Sequence, residues 1–455
     1  VAIGRSSLGA NTTGAENTAC GTYALHLNTT ASNNTGLGYY ALFSNTTGTS
    51  NVAVGRAALD ANTTGNNNTA VGEHALGANQ TNQYNTGVGQ GALYNTTSDN
   101  NTAVGNHALL SNTTGAESVA IGADALKDNT TAHGNVAVGY KAIENNHTGT
   151  NLTAVGHNAL TTLGTSANNN TAIGAHAMEF STSAENCTAL GAFALDANTT
   201  GQTNTAVGKG AVGGNTTGSD NNGFGVNTLL SNTTGSNNVA VGRSALATNT
   251  TASNNTAVGH YALLNNTTAY MCTAVGANAL DANTTGAFNT GIGVNALGVC
   301  TTGNNNTSVG EASSMALTTG INNSCNGVAA LQVLTTGDYN SALGRAAGGA
   351  ITTGSNNLCL GYNAGSSSSP LHITTGNNHI VLGNNNITSA NIKVDWTVSS
   401  DQRDKTDIQD IATGLDFVKQ LKPKSFWFKK DRDSDVKHGD KKYGFLAQDI
   451  LALEG

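Results

Sequence analysis

Ser400, Asp401, Gln402, Arg403, Asp404 and Lys405 hold the residues best suited to covalent chemistry in this chain. A serine hydroxyl is a weak nucleophile at neutral pH and needs a base beside it. A lysine amine can be that base once burial or a neighbouring cation lowers its pKa. On residue types alone, the plainer reading is that Ser400 ends a strand and caps a helix while Lys405 is exposed. Other reactive side chains are dispersed. Cys20, Cys187, Cys272, Cys300, Cys325 and Cys359 form no Cys-x-x-Cys pair, so they read as small apolar residues in packed positions, with no metal site or disulfide framework. His74, His107, His157, His176 and His260 follow a glycine by one or two residues. They share those positions with Glu73, Asn106, Tyr140, Lys141 and Arg243, a mixture that reads as a variable exposed face. A calcium-binding roll needs recurring Asp, which is missing. No cofactor is expected.

Ser400 opens a non-repeating tail, and what precedes it is a repeat. A glycine follows a short apolar pair from Gly4, Gly21 and Gly38 through to Gly327, Gly344 and Gly361. The step is the same throughout, except that Gly89–Gly105 is one residue shorter and Gly156–Gly174 one residue longer. A degenerate last copy ends at Gly383. A fixed short period specifies a one-dimensional stack of equal units. The chain opens on Val1 inside a repeat, without an initiator Met, and is expected to be part of a longer protein. Of the 19 Lys and Arg, 8 precede position 399, against 16 of the 27 Asp and Glu. The repeats are therefore acidic and carry no basic stripe, which argues against nucleic acid as a partner. No run is apolar enough for membrane insertion.

The unit from Gly55 to Gly72 shows three recurring pieces: Ala58–Leu59, Asn62 to Gly65 (Asn-Thr-Thr-Gly) and Asn68 to Gly72 (Asn-Thr-Ala-Val-Gly). Asn68–Val71 alternates and ends on a β-branched residue, so it reads as a short strand. A second short strand is expected around Ala58–Leu59, with a turn at Asn62–Gly65 in which Gly65 takes positive φ. Two strands and two turns make one coil of a parallel β-solenoid or β-roll, and 23 coils at the strand spacing of ~4.8 Å give a rod of roughly 110 Å. Val71 and Leu59 are expected inside the coil, Ala58 and Ala70 outside. Asn at fixed positions can stack as amide ladders; glycan attachment at Asn-x-Thr is the alternative. One Val and one Leu per coil are few to order so long a stretch of backbone, so alanine-lined flanks are expected to pack against sister chains around a threefold axis.

Asn-Thr-Ala-Val-Gly, with Asn51–Gly55 (Asn-Val-Ala-Val-Gly) and Ser118–Gly122 (Ser-Val-Ala-Ile-Gly), resembles the head repeat of trimeric autotransporter adhesins (YadA-like) over most of residues 1–383. That resemblance implies a left-handed parallel β-roll trimer. It departs from the family in length. The family's unit is usually shorter, and the additional residues here fall in the Asn-Thr-Thr-Gly turn.

Past the repeat, Ser366–Pro370 reads as a loop insertion, and Ile392, Val394, Trp396 and Val398 as a connecting strand over 384–399. Thr406–Leu421 has helical apolar spacing, Lys424–Lys430 and Lys441–Leu446 read as two strands about a charged loop (Asp431–Asp440), and a second helix is expected near Gln448. Ser400, Asp401, Arg403, Lys405 and Ile408, with Leu421–Phe426 around Pro423 and Gly444–Asp449, resemble the intramolecular chaperone domain of phage endosialidases and tail fibres, a self-cleaving peptidase family. The resemblance implies that Ser400 attacks an adjoining peptide bond while Lys405 takes its proton, in a single turnover. The family's domain continues beyond the equivalent of Gly455, so the module 400–455 is expected to be incomplete.

The sequence thus predicts an all-β chain: a parallel β-roll or β-solenoid of 17-residue coils over 1–383, homotrimeric, followed by a small α+β module at 400–455. It reads as a structural and adhesive viral or phage tail fibre, located on a virion or extracellularly. A host-surface receptor or a glycan is the kind of partner such a fibre could bind, and its chaperone is expected to drive trimerisation and leave by autoproteolysis. The rival reading is a cellular adhesin or filament without proteolysis.

Overall fold

A computed structural model describes residues 1–164, 167–391, 406, 414–429, 435, 437–446 and 449. The chain divides into two compact units, Val1–Leu382 and Gly383–Gly455.

The first unit is a parallel β-solenoid. Its strands run from β1 (Ala2–Ile3) to β23 (Ile380–Leu382), one per coil and nearly all of the same three-residue length. Each pairs in parallel with the strand of the next coil at the equivalent residue, as in Thr69↔Thr86, Ala70↔Gly87 and Val71↔Val88. The one shorter and the one longer coil keep this register, with Thr86↔Thr102 and Thr153↔Thr171. The insertion after Gly361 is absorbed before β23, which still pairs Leu358↔Ile380.

Inside the coil Leu59 is buried as expected, but the orientation expected for the alanines and for Val71 is reversed. Ala70 and the equivalent strand-centre alanines of the inner coils are buried, as are Ala58 and Leu59, whereas Val71 is only half-buried and Val104 is 37% exposed. The interior is too thin for more. At Gly36, a strand-centre position, an added Cβ would already lie 3.3 Å from the Leu25 side chain. A Val there would overlap it, so alanine points in and the larger β-branched residues point out. Local exceptions compensate in volume. Where Val212 replaces the usual Leu and Thr228 the usual Ala, the strand centre is Gly223, and a Cβ there would come within 2.7 Å of both side chains. Where Ser314 replaces Leu, the next strand centre is the larger Cys325, its Sγ 3.1 Å from Ser314 Oγ.

The segment around Ala58–Leu59 is not a strand. Ala57 and Leu59 both take left-handed φ (52° and 54°), and the same alternation recurs through most of the stack. Its backbone groups still bond from coil to coil, as in Leu59 N–H to Ala75 O (3.0 Å). Left-handed φ is costly for residues with a Cβ, so the stack must hold these residues there. Gly65 is not at positive φ either. Glycine is needed there for room, because a Cβ would sit 2.4 Å from both Asn62 Oδ1 and Asn82 O. The positive φ belongs to the strand-end glycines. Gly259, at φ 144°, lies so close to the next coil that a Cβ would meet Gly276 O at 2.4 Å.

Two asparagine ladders climb the solenoid. In the first, Nδ2 of each Asn donates to Oδ1 of its equivalent one coil earlier: Asn45 to Asn28 (2.9 Å), Asn62 to Asn45 (2.9 Å), Asn232 to Asn215 (2.8 Å) and Asn249 to Asn232 (2.7 Å). The same Nδ2 reaches a glycine carbonyl in its own turn, as from Asn62 to Gly65 (3.1 Å). In the second, the backbone N–H donates to the earlier Asn side chain, as from Asn68 to Asn51 Oδ1 (3.0 Å). These asparagines are fully buried, which removes them as glycan acceptors. The exposed Asn67 class, just before the second ladder, is left by this criterion. Where Thr96 and Cys300 interrupt the first ladder, Asn79 Oδ1 and Asn283 Oδ1 are buried without a hydrogen-bond partner among the described residues.

Of the cysteines, Cys20 is exposed and the other five are buried. Cys187 and Cys272 stand in second-ladder positions. They keep the backbone bond to Asn170 Oδ1 and Asn255 Oδ1 (2.9 Å each) and turn their thiols to glycine carbonyls. Burial pushes both thiols up to about 11, and that of Cys300 up to about 12. These are inert packing residues.

In the second unit, α1 spans Gly414–Gln420, and β24 (Lys424–Lys429) pairs antiparallel with β25 (Lys437–Gly444). The second strand starts inside the expected charged loop, since Lys437 and His438 pair with Lys429 and Phe428. Of the expected connecting strand over 384–399, residues 384–391 form no strand and 392–399 lie outside the described residues, as do 407–413 of the expected helix, whose first residue, Thr406, is not helical.

Two outcomes test this packing. Gly259→Ala should destabilise the solenoid by more than about 3 kcal/mol, the scale of a residue forced into a forbidden φ against backbone; unchanged denaturant unfolding would contradict the close approach. Asn232→Ala should cost about 1–3 kcal/mol, because it strips the partner from a buried Asn215 Oδ1; a neutral effect in the same assay would show that the ladder carries no stability.

Candidate functional site

Each coil presents two kinds of outer surface. The first is the outward face of the strands, formed by the first and third strand residues. From Val1 and Ile3 to Ile380 and Leu382 it carries Thr, Val, Ile, Leu, Ser, Asn, one Cys and one Phe, and no charge at any coil. The side chains are half-open to solvent: Val258 and Val275 are 36% exposed, Ile292 38% and Leu343 55%. Large uncharged faces of this kind mark association surfaces. The sequence placed the subunit contact on alanine-lined flanks. That placement fails, because Ala58 and Ala70 have no exposed surface. The candidate interface is instead the Thr/Val face, which alternation of apolar residues did reveal but with its phase inverted.

The second surface follows each strand-end glycine and is variable. The histidines singled out by the sequence all lie there, each in different company. His74 Nε2 is 3.1 Å from the Arg56 guanidinium, which pairs with Glu73. His107 lies 3.8 Å from Asp124. His176 Nδ1 is 2.8 Å from Glu179, and its ring is 5.1 Å from that of His157. Among the described residues, no group of three or more His, Cys, Asp or Glu is arranged to hold a metal ion. The surface is therefore a mosaic of separate local contacts. Asp60, Asp196 and Asp281 on it are shifted upward by partial burial.

The residues with candidate chemistry, Ser400 and Lys405, lie outside the described residues, as do Asp401, Arg403 and Ile408. Downstream of them, the β24–β25 hairpin displays aromatic and basic side chains. Lys437 Nζ sits 4.1 Å from the centroid of the Trp427 ring, and Lys441 lies over both Trp427 and Tyr443. Within the second unit, Val418, Trp427, Tyr443, Phe445 and Leu446 are exposed.

Among the described residues, no helix is long and apolar enough to cross a membrane. Residues 400–453 match the family model of the peptidase group described as chaperone of endosialidase. No curated protein and no solved structure matches the chain at a significant level.

Lysine at three successive outward positions, Val258, Val275 and Ile292, should cost the coil itself little, because those side chains are already more than a third exposed. It should lower the subunit count measured by light scattering; an unchanged count would rule out this face as the subunit interface. In architecture and in family likeness, the chain is a parallel β-solenoid followed by a segment similar to the endosialidase chaperone.

Proposed function

We propose that the chain is the shaft of a homotrimeric fibre of the phage or viral tail-fibre kind, displayed on a virion and attaching it to a host surface. In this reading the C-terminal segment drives trimerisation and is then released by a cut beside Ser400. One observation carries the reading: the match of residues 400–453 to the endosialidase chaperone follows 23 stacked, near-identical strands. The uncharged strand face supports it, since three copies would cover that face at every level.

The two parts need each other for a physical reason. Parallel stacking of near-identical repeats offers many wrong registers, and long-range pairing is slow. A compact module that gathers three chains first sets one register for all coils. Removing it afterwards makes the assembly hard to reverse, so that stability becomes kinetic.

The cut is a single-turnover acyl transfer. A neutral Lys405 amine accepts the hydroxyl proton as Ser400 Oγ attacks the carbonyl carbon of the adjoining peptide bond. The C–N bond breaks, the departing nitrogen takes up the proton, and water hydrolyses the ester. Lys405 accepts the proton in its neutral form.

The test is a denaturing gel of the full-length protein, with its complete C-terminal module, beside its Ser400→Ala and Lys405→Ala variants. The expected result is a small C-terminal fragment shed by the parent alone. Identical bands in all three would defeat self-cleavage and favour a surface filament without proteolysis.

A further inference from the structure

The uncharged strand face has two long edges, and their charges are of opposite sign. One edge is formed by the two residues ahead of each second-ladder position. Glu16, Asp99, Glu117, Glu185, Asp220 and Asp338 lie there, and no Lys or Arg does at any coil. The other edge is the residue after each strand-end glycine. It carries Arg5, Arg56, Lys209, Arg243 and Arg345, against Glu73 and Glu311. In every coil the strand keeps the two edges apart, as Ser341–Leu343 does for Asp338 and Arg345.

Within one chain most of these charges are left over. Arg56 pairs with Glu73 on its own edge. Arg5, Lys209, Arg243 and Arg345 are exposed and have no carboxylate at ion-pair distance among the described residues. Glu16, Glu117 and Asp220 are exposed as well. The coil does not need the acidic charge. Asp99 and Asp338 each accept a backbone N–H from the preceding coil (2.9 and 2.8 Å), but Asn66 and Ser253 do the same at equivalent positions (2.7 and 3.0 Å) without a charge.

Symmetry supplies the missing partners. Rotation about an axis parallel to the stack brings one edge of each copy to the opposite edge of its neighbour. An axis across the stack would set acid against acid. The levels fit the first arrangement. Glu185, Lys209, Asp220 and Arg243 belong to four successive coils and alternate between the edges. Between copies at equal height, Lys209 and Arg243 then each have a carboxylate one coil away, a step of ~4.8 Å. Arg345 and Asp338 share a coil, and Arg5 is one coil from Glu16. Arg56 has no carboxylate of the acidic edge within one coil, and it is the cation that pairs inside its own chain. An uncharged centre between charged rims is also the usual composition of a protein interface.

We propose that the two edges are interlocking rims: the cationic rim of one copy lies along the anionic rim of the next, so that only parallel copies at matching height fit together. This rests on the homotrimer reading above and adds which parts of the surface meet. Rim charges of this kind select partner and orientation more than they add affinity.

The experiment is disulfide trapping in the full-length protein, with Cys20→Ser removing the exposed thiol. In the Asp338→Cys/Arg345→Cys variant the two thiols of one chain stay roughly 10 Å or more apart across three strand residues, beyond the ~7 Å that a disulfide spans. Covalent dimers and trimers on a non-reducing gel are expected from this variant, and none from either single substitution. Monomer bands alone, in protein that light scattering shows to be trimeric, would overturn the rim assignment and leave the homotrimer reading standing; a monomeric parent would overturn both. A second comparison reverses charge. Glu185→Lys with Asp220→Lys should lower the trimer fraction about fivefold at low salt, and adding Lys209→Glu with Arg243→Glu should restore it. Equal trimer fractions in parent and both variants would contradict the proposal.

Discussion

The narrowness of the coil governs the solenoid. With little more than alanine and leucine filling the space between its walls, a coil encloses too little apolar surface to stand alone. Its polar groups find their partners one level up or down: strand N–H and C=O groups, left-handed residues such as Leu59, and the buried asparagines all bond to the neighbouring coil. Stability is therefore a property of contacts between coils. The same dimension forces glycine at the strand ends, where backbones meet, and pushes the larger strand residues outward onto a continuous uncharged face. Coil thickness thus links the interior to the surface through which chains associate.

The repeat, its period and its parallel architecture were legible because a stack imposes one requirement at one position in every coil. Gly55, Gly72 and their equivalents announce it directly, and Asn62 and Asn68 announced the ladders. The phase of the strand was not legible. Alternation in Asn68–Val71 says that Ala70 and Val71 face opposite sides, and the usual preference sends the larger apolar residue inward. Only the distance to the opposite wall reverses that choice, as Gly36 and Leu25 show, and no local pattern reports a distance. The turn at Ala57–Leu59 was missed for a related reason. A leucine at left-handed φ violates its own propensity and is held there by a bond to Ala75, in the following coil. Gly65 was rightly singled out, but its role is to make room for Asn62 and Asn82 O.

At the candidate sites the balance differs. The chaperone-like segment was legible from Ser400 to Asp449 as a string of motif residues, and the family match covers the same stretch. The hairpin was found, but its second strand begins at Lys437, inside what the charges suggested was loop. Lys437 and Lys441 lie over Trp427, so those charges decorate a strand. The aromatic cluster on the first coils was not legible at all. Tyr23 and Tyr40 stand one full repeat apart, and His26 and Phe43 likewise, so they meet only when coils stack in register. Composition alone, at 5% aromatic, gave no hint of a cluster.

The central claim is that each coil is held chiefly by its bonds to neighbouring coils, with the bonds inside its own turn, such as Asn62 to Gly65, secondary. Residue-resolved amide hydrogen exchange tests it most directly. The account predicts that second-ladder amides such as Asn68 and Asn221 exchange at similarly slow rates throughout the inner coils and faster only toward the end coils, as a stack with nearest-neighbour coupling requires. Isolated islands of protection separated by rapidly exchanging inner coils, or protection confined to one coil's own turn, would contradict it.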